Sequence, residues 1–307
     1  MKFNEILTHL NNIPKSKDFD IYLIGGVVRD KILGFDDFSD IDIAVEGDID
    51  KFVSYFKIYF GKEITKETKS KLKTYKFVLG DSSFDIIFTR KEYYPENGML
   101  PELSRGTIMD DIKRRDFTIN SIAYSLKEHN FLDPLNGIKD IENKTIRENR
   151  ENLFVEDPTR IFRLFKYGER FDFNYDEGTL KDLKKSLNEH DLFKNVSKSR
   201  ISREWILILK EKEKKKIIGD LYNENIFSVL FKKEIKINLE YKNEQDEYIY
   251  TLGLFYENDL QTLIEVLDTL LNGIKDKEKD EIANMKLGKL LNERIRKKYA
   301  PILEIYG

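Results

Sequence analysis

The sequence predicts an α/β head followed by an all-helical arm. Two observations carry this. Short apolar runs bounded by turn residues crowd the stretch up to about residue 135, and helical periodicity takes over after residue 136. In chain order, residues 1–12 (MKFNEILTHLNN) place apolar side chains at helical spacing and lack the apolar core of a signal segment. Ile21–Ile24 reads as a strand, and Gly25-Gly26 follows it, ahead of a helix-like apolar pattern. Asp40–Val45, Thr74–Leu79 and Phe84–Phe88 are further strands, the last two parted by the turn Gly80-Asp81-Ser82-Ser83. Residues 47–60 alternate at helical spacing and are expected to cross one sheet face. Asp116 is placed to cap a helix over Phe117–Leu126. The arm should hold helices at Asp157–Phe171, Glu177–Leu187, Ser199–Lys210, Asp259–Leu271 and Asp280–Arg296. Residues 91–106, with two Pro and two Gly, read as a mobile loop, and residues 272–281 as a solvated connector.

Composition narrows the classes. At 307 residues, two or more domains are expected, and 21 Phe with 16 Tyr supply ample core material. With no Cys, neither a disulfide framework nor a thiolate zinc site exists, and the three His form no ligand-like cluster. The net charge of −3 means that a nucleic-acid partner would need a local basic surface. No apolar run reaches the about 18 residues of a membrane span, so a cytoplasmic location is expected.

Asp40 and Asp42 stand at i, i+2 on an expected strand, so their side chains share a face. Two like charges held there repel. Mg²⁺ relieves the repulsion, because hard divalent cations take carboxylate and phosphate oxygens together. A Gly-Gly turn nearby lets backbone N–H groups approach a triphosphate. Together they suggest two-metal phosphoryl chemistry on a nucleotide.

The order GGxVRD, then DxD on the next strand, resembles the class II tRNA nucleotidyltransferase and bacterial poly(A) polymerase family. Arg114–Asn120 (RRDFTIN), Asp133–Gly137 (DPLNG) and Glu156–Arg163 (EDPTRIFR) resemble its further motifs, and Ser199–Glu204 (SRISRE) is a looser match. These motifs run in order across residues 21–204; beyond Glu204 none is found. The resemblance implies an α+β nucleotidyltransferase-fold head, a mixed sheet with helices, over residues 1–135. It implies an all-α neck with the nucleotide-selecting motif over 136–198, and a body with a short tail for tRNA binding over 199–307.

By that resemblance Asp40 and Asp42 are the catalytic metal ligands for Mg²⁺. Gly25, Gly26 and Arg29 would meet the triphosphate, with a salt bridge to Asp30 or to Asp36-Asp37 as the structural alternative for Arg29. Arg114 and Arg115 would contact ribose and phosphates or hold the head against the neck, and Asn120 would bond a sugar hydroxyl. Asp157 and Arg160 would read the base, Asp as acceptor and Arg as donor, with Arg163 in support. Lys166 stands where the family usually carries another Arg; it keeps the charge and loses the planar fork. Asp85 admits two readings, a third carboxylate beside the metals or a solvated strand end.

The activity so implied is addition of CCA to the 3′ end of immature tRNA from CTP and ATP, with release of pyrophosphate. A-addition alone beside a CC-adding paralogue, poly(A) synthesis, and nucleotide or RNA binding without chemistry are the alternatives. A loop at 91–106 argues against a pure CC-adding enzyme. The basic stretches 210–216 and 294–299 are candidate tRNA contacts, and ordinary surface charge is their alternative. The stretch beyond Glu204 is short for this family, so a reduced tail is expected.

Overall fold

In the computed structural model, the apolar run ahead of Gly25 forms strand β1 (Phe19–Ile24), deep in a mixed sheet with Leu23 and Ile24 fully buried. The structure describes residues 1–70, 74–189, 191–242, 246–289 and 291–306. Two compact units emerge. The first comprises Met1–Pro95, Leu100–Leu153 and Asn174–Leu180, the second Glu96–Met99, Phe154–Phe173 and Lys181–Gly307.

In the first unit α1 (Phe3–Asn11) precedes β1, and α2 (Gly26–Ile32) joins β1 to β2 (Asp40–Gly47). Next come α3 (Ile49–Phe60), β3 (Ile64–Lys69), β4 (Tyr75–Leu79) and β5 (Ser82–Phe88). A hairpin follows, β6 (Arg90–Tyr93) and β7 (Glu102–Arg105), then α4 (Ile108–Lys113), β8 (Ala123–Ser125), β9 (Asn130–Leu132) and α5 (Gly137–Glu142). The short β10 (Thr145–Ile146) pairs in parallel with β11 (Asn174–Tyr175). The main sheet has seven strands in the order β3-β4-β5-β2-β1-β8-β9, and only the β2–β5 pair is parallel. Helix α3 starts at Asp48, whose carboxylate accepts from the Lys51 N–H, and covers the sheet with Phe52, Phe56 and Phe60. Phe56 packs on Phe77 and Phe84 at ring-centroid distances of 5.0 and 5.6 Å.

The rest is helical. Helices α6 (Leu153–Glu156), α7 (Thr159–Phe171), α8 (Glu177–Glu189), α9 (Lys198–Leu209), α10 (Lys214–Asn223) and α11 (Ile226–Phe231) come first. They are followed by α12 (Glu247–Phe255), α13 (Leu260–Leu270), α14 (Asp276–Lys286), α15 (Glu293–Lys298) and α16 (Ala300–Tyr306). In the second unit the fully buried Trp205 packs against Phe227 and Phe255, and its indole N–H donates to the Thr251 hydroxyl at 3.0 Å. Among the described residues no helix is long and apolar enough to cross a membrane.

Four sequence expectations are corrected. Phe117–Leu126 is not a helix: Thr118–Asn120 makes one 3₁₀ turn, and Ala123–Ser125 becomes β8, paired with β1. The apolar spacing suited either state, and the unpaired flank of β1 supplied the backbone partners that decided it. Residues 91–106 are not an open loop; they contain the β6–β7 hairpin, paired from Arg90↔Arg105 to Tyr93↔Glu102. Its side chains are mostly polar and hide the alternation. Residues 276–281 of the expected connector 272–281 are helix, because Lys275 and Glu278 form a capping arrangement that starts α14 at Asp276. The expected helix over 280–296 is interrupted between Lys286 and Glu293, with Gly288 at φ +62°. Residue 290 in that span, like His190, lies outside the described residues.

Candidate active site

The acidic face is built by strand register. Asp40 and Asp42 lie two apart on β2, and the parallel pairing sets Asp42 beside Asp85 and Asp40 beside Ser83 on β5. The Ser83 hydroxyl donates to Asp40 at 2.7 Å. Asp85 Oδ2 accepts from Lys76 Nζ at 3.2 Å, whereas its Oδ1 is buried and has no hydrogen-bond partner among the described residues. Burial pushes the Asp42 carboxyl above the usual range; Arg115 opposes the shift, and Asp85 and Asp40 add to it. This face holds more negative charge than its neighbours neutralise.

Gly25 closes the face from the β1 end. Its φ of +70° suits glycine, and a Cβ there would sit 3.1 Å from Arg115 Nη1 and 3.3 Å from Asp42 Oδ2. Gly25, Asp42 and Arg115 therefore converge on one spot. The partners of Arg115 and Arg114 are fixed by α4. Asp111, fully buried on that helix, accepts from Arg115 Nη2 at 3.1 Å and from Arg114 Nε at 3.0 Å. Burial would raise the Asp111 carboxyl, and the two guanidiniums hold it below the usual range instead. Arg114 also donates to the buried Glu92 of β6 at 2.9 Å. Arg115 Nε is buried without a partner among the described residues.

Arg29 is buried too. It donates to Asp30 Oδ1 and to Asn120 Oδ1, each at 2.7 Å, and Asn120 Nδ2 donates to Asp116 at 3.0 Å. The structural alternative for Arg29, a salt bridge to Asp30, is present, and Arg29 and Asn120 hold each other.

The residues fit a divalent cation. Two carboxylates share a face, a third lies beside them with a partnerless buried oxygen, and desolvation disfavours the charge on Asp42. Among the described residues no group of three or more acidic or His side chains is already gathered to hold an ion. Ligation would therefore rest on Asp40 and Asp42, with the shell completed by phosphate oxygens.

The second cluster lies in the second unit. Asp157 precedes α7 rather than belonging to it. Its Oδ1 accepts from the Thr159 N–H at 3.0 Å and from the Arg200 Nη2 of α9 at 2.8 Å, and Arg163 Nη2 stands 3.5 Å from its Oδ2. Burial works to raise this carboxyl; Arg163, Arg160 and Arg200 outweigh it and hold it below the usual range. Arg160, nearly fully buried, donates to Glu156 at 3.1 Å. Glu204 of α9, also buried, accepts from Arg163 Nη1 at 3.0 Å and from Lys166 Nζ at 3.2 Å. Burial pulls the Lys166 ammonium below its ordinary value, with Glu204 opposing.

Asp111 and Glu92 were missed from the sequence; their signal, acidic residues four and 22 positions before a paired arginine, is too common to read. Glu204 and Arg200 lay within a recognised motif, but their partners stand about 40 residues upstream and no periodicity links them.

A seven-stranded mixed sheet with two carboxylates on one strand and a glycine turn beside them defines a nucleotidyltransferase-class head. Residues 21–147 match the poly A polymerase head domain. The chain is 34% identical over 217 residues to the A-adding tRNA nucleotidyltransferase of Geobacter sulfurreducens, which covers 69% of this chain and 24% of that protein. It is 27% identical over 294 residues to the A-adding tRNA nucleotidyltransferase of Aquifex aeolicus, covering 89% of this chain and 35% of that protein. A solved complex of a CCA-adding enzyme with ATP aligns with a TM-score of 0.75 at 27% identity, covering 93% of this chain and 69% of that one. The chain spans about a quarter to a third of the length of those two relatives. Residues 21–147 thus carry the poly A polymerase head domain, and the relatives that the chain matches are tRNA nucleotidyltransferases, a class whose members generally use a divalent metal.

Proposed function

We propose that this protein transfers nucleotides from CTP and ATP to the 3′ end of immature tRNA, completing CCA and releasing pyrophosphate. The observation that carries the reading is the under-neutralised carboxylate face of Asp40, Asp42 and Asp85 next to Gly25 and Arg115. Asp40 and Asp42 would hold Mg²⁺, in a two-metal arrangement. Bound there, the ions would supply charge neutralisation at the α-phosphate and favour loss of the proton from the attacking 3′-hydroxyl.

The remaining work falls to the chain's own groups. Gly25 and Gly26 let the backbone approach the triphosphate, and Arg115 offers guanidinium donors to its oxygens. Arg29 and Asn120 keep that turn in place through their mutual bond and are the candidates for ribose and phosphate contact. Arg114, tied to Asp111 and Glu92, aligns Arg115. Asp157 and Arg160 read the base, one as acceptor and one as donor. Arg163 and Lys166 support them through Glu204. We place catalysis within residues 1–135, selection within 136–198 and tRNA binding within 199–307.

A second reading is restricted to the terminal A. It is favoured by the two relatives named above, both A-adding enzymes. Primer extension separates the readings, using tRNA transcripts that end before CCA, after C and after CC, each with CTP, ATP or both. Completion of all three supports full CCA addition. Extension of the CC-ending transcript alone, with ATP alone, supports the second reading. A long A ladder on any RNA contradicts both, and no transfer with any combination refutes the enzymatic reading.

A further inference from the structure

Resting on that functional reading, we infer that Arg200 is a positioning residue for nucleotide choice, because it ties the base-reading carboxylate of Asp157 to the Gly98 carbonyl between β6 and β7. The guanidinium has one arm on each. Nη2 donates to Asp157 Oδ1 at 2.8 Å, and Nη1 donates to the Gly98 carbonyl oxygen. Gly98 is held from its other side as well, because its N–H donates to the Glu156 carbonyl at 3.2 Å. The neighbouring Asn97 carbonyl accepts from Asn195 Nδ2 at 2.9 Å. Segment 96–99 thus groups with α7 and α9, although the strands on either side of it belong to the first unit.

The site is built for this contact. Gly98 has φ +76°, and a Cβ there would lie 3.1 Å from the Leu192 carbonyl oxygen and 3.2 Å from Val196 Cγ2. A Cβ at this φ strains the backbone, and both neighbours must give by a few tenths of an ångström to admit it. Arg200 is largely buried, with a side chain 18% exposed, so its fork has little water to turn to. Only a planar fork spans a carboxylate and a carbonyl at once; a lysine ammonium keeps the charge and reaches one of them. Asp157 has two lone-pair faces to present to a base, and Arg200 with Thr159 occupies Oδ1. Oδ2 is left as the oxygen nearer Arg163 and the one available to an exocyclic amine. When segment 96–99 is displaced, Arg200 loses its second anchor, and Asp157 loses the partner that fixes which oxygen it shows.

The test is the ratio of kcat/KM for ATP over CTP on a CC-ending tRNA transcript, in the full chain and in Arg200→Lys, Gly98→Ala and the double variant. Melting midpoints are recorded in parallel. The expected result is a fall of about tenfold in the ratio for each single variant, the size of one lost charge-assisted contact. The double variant should fall no more than about twofold further, because both changes break one linkage. A purely structural role would lower both rates together and leave the ratio alone. Ratios within about twofold of the unaltered protein, or a double variant whose losses multiply, overturn the inference. If Arg200→Lys does not fold, Gly98→Ala carries the same test from the other end. Unaltered protein that transfers nothing refutes the functional reading, and this inference with it; active protein with unchanged ratios refutes the inference alone.

Discussion

The two polar clusters are opposite in charge balance. In the first unit, Asp40, Asp42 and Asp85 crowd one face, the Asp42 carboxyl is pushed up, and one oxygen of Asp85 is buried without a partner. In the second unit, Asp157 stands among Arg160, Arg163 and Arg200 and is held down. A protein does not keep like charges together and partly desolvated for stability. Under the proposed function, such a face would take a cation that arrives with its ligand. The second cluster is already satisfied, and its groups are fixed before any ligand comes. The difference supports the proposed division, in which one region serves charge neutralisation during reaction and the other recognition by groups locked in advance.

The largest effect expected from this contrast is at Asp42. Replacing it in Asp42→Ala should lower transfer of every nucleotide by about a thousandfold or more, read as single-turnover rates. Comparable rates in both proteins would break the charge-starved side of the comparison. Next is Glu204→Ala, which leaves the buried Lys166 and the partly buried Arg163 without their shared carboxylate. A loss of about 3 kcal/mol in urea unfolding is expected. An unchanged midpoint would show that the cluster on α7 and α9 is not held as a unit.

The helix stripe was legible as a pattern, but its function as a network was not. The spacing Asp157, Arg160, Arg163, Lys166 was visible in the sequence, whereas the carboxylate that gathers Arg163 and Lys166 comes from α9, 38 to 41 residues later. The carboxylate face was more legible, because period-two alternation on β2 fixes which side chains share a side. The β2–β5 register that adds Asp85 is a long-range pairing with no local trace. Strand β3 (ITKETK) and the polar hairpin β6–β7 escaped for a related reason: exposed strands carry no apolar rhythm.

A smaller effect is expected on selection itself. Asp157→Ala should reduce discrimination between ATP and CTP by about ten- to a hundredfold while transfer persists, as measured by competing the two nucleotides on one primer. Equal loss of rate for both nucleotides would assign Asp157 to the fold rather than to choice.

The smallest is a gain in stability. The folded-state pKa of Asp42 is raised, so the folded state holds that proton more tightly than the unfolded chain. Stability is therefore lost as pH rises from the ordinary carboxylate range through the raised value, and the cost is complete above it. Asp42→Asn should melt higher near pH 7 by an amount equivalent to about 1 kcal/mol, and the gain should vanish near about pH 3. A gain independent of pH would trace it to something other than the carboxylate charge.

The division of labour is tested most directly by one comparison on a CC-ending tRNA transcript with Mg²⁺ and a mixture of ATP and CTP. Unaltered protein, Asp42→Ala and Asp157→Ala are run side by side, and products are resolved to one nucleotide. The account predicts A addition by the unaltered protein, no product with Asp42→Ala, and continued transfer with mixed A and C ends with Asp157→Ala. Faithful A addition by Asp42→Ala, or silence of Asp157→Ala with both nucleotides, would contradict it.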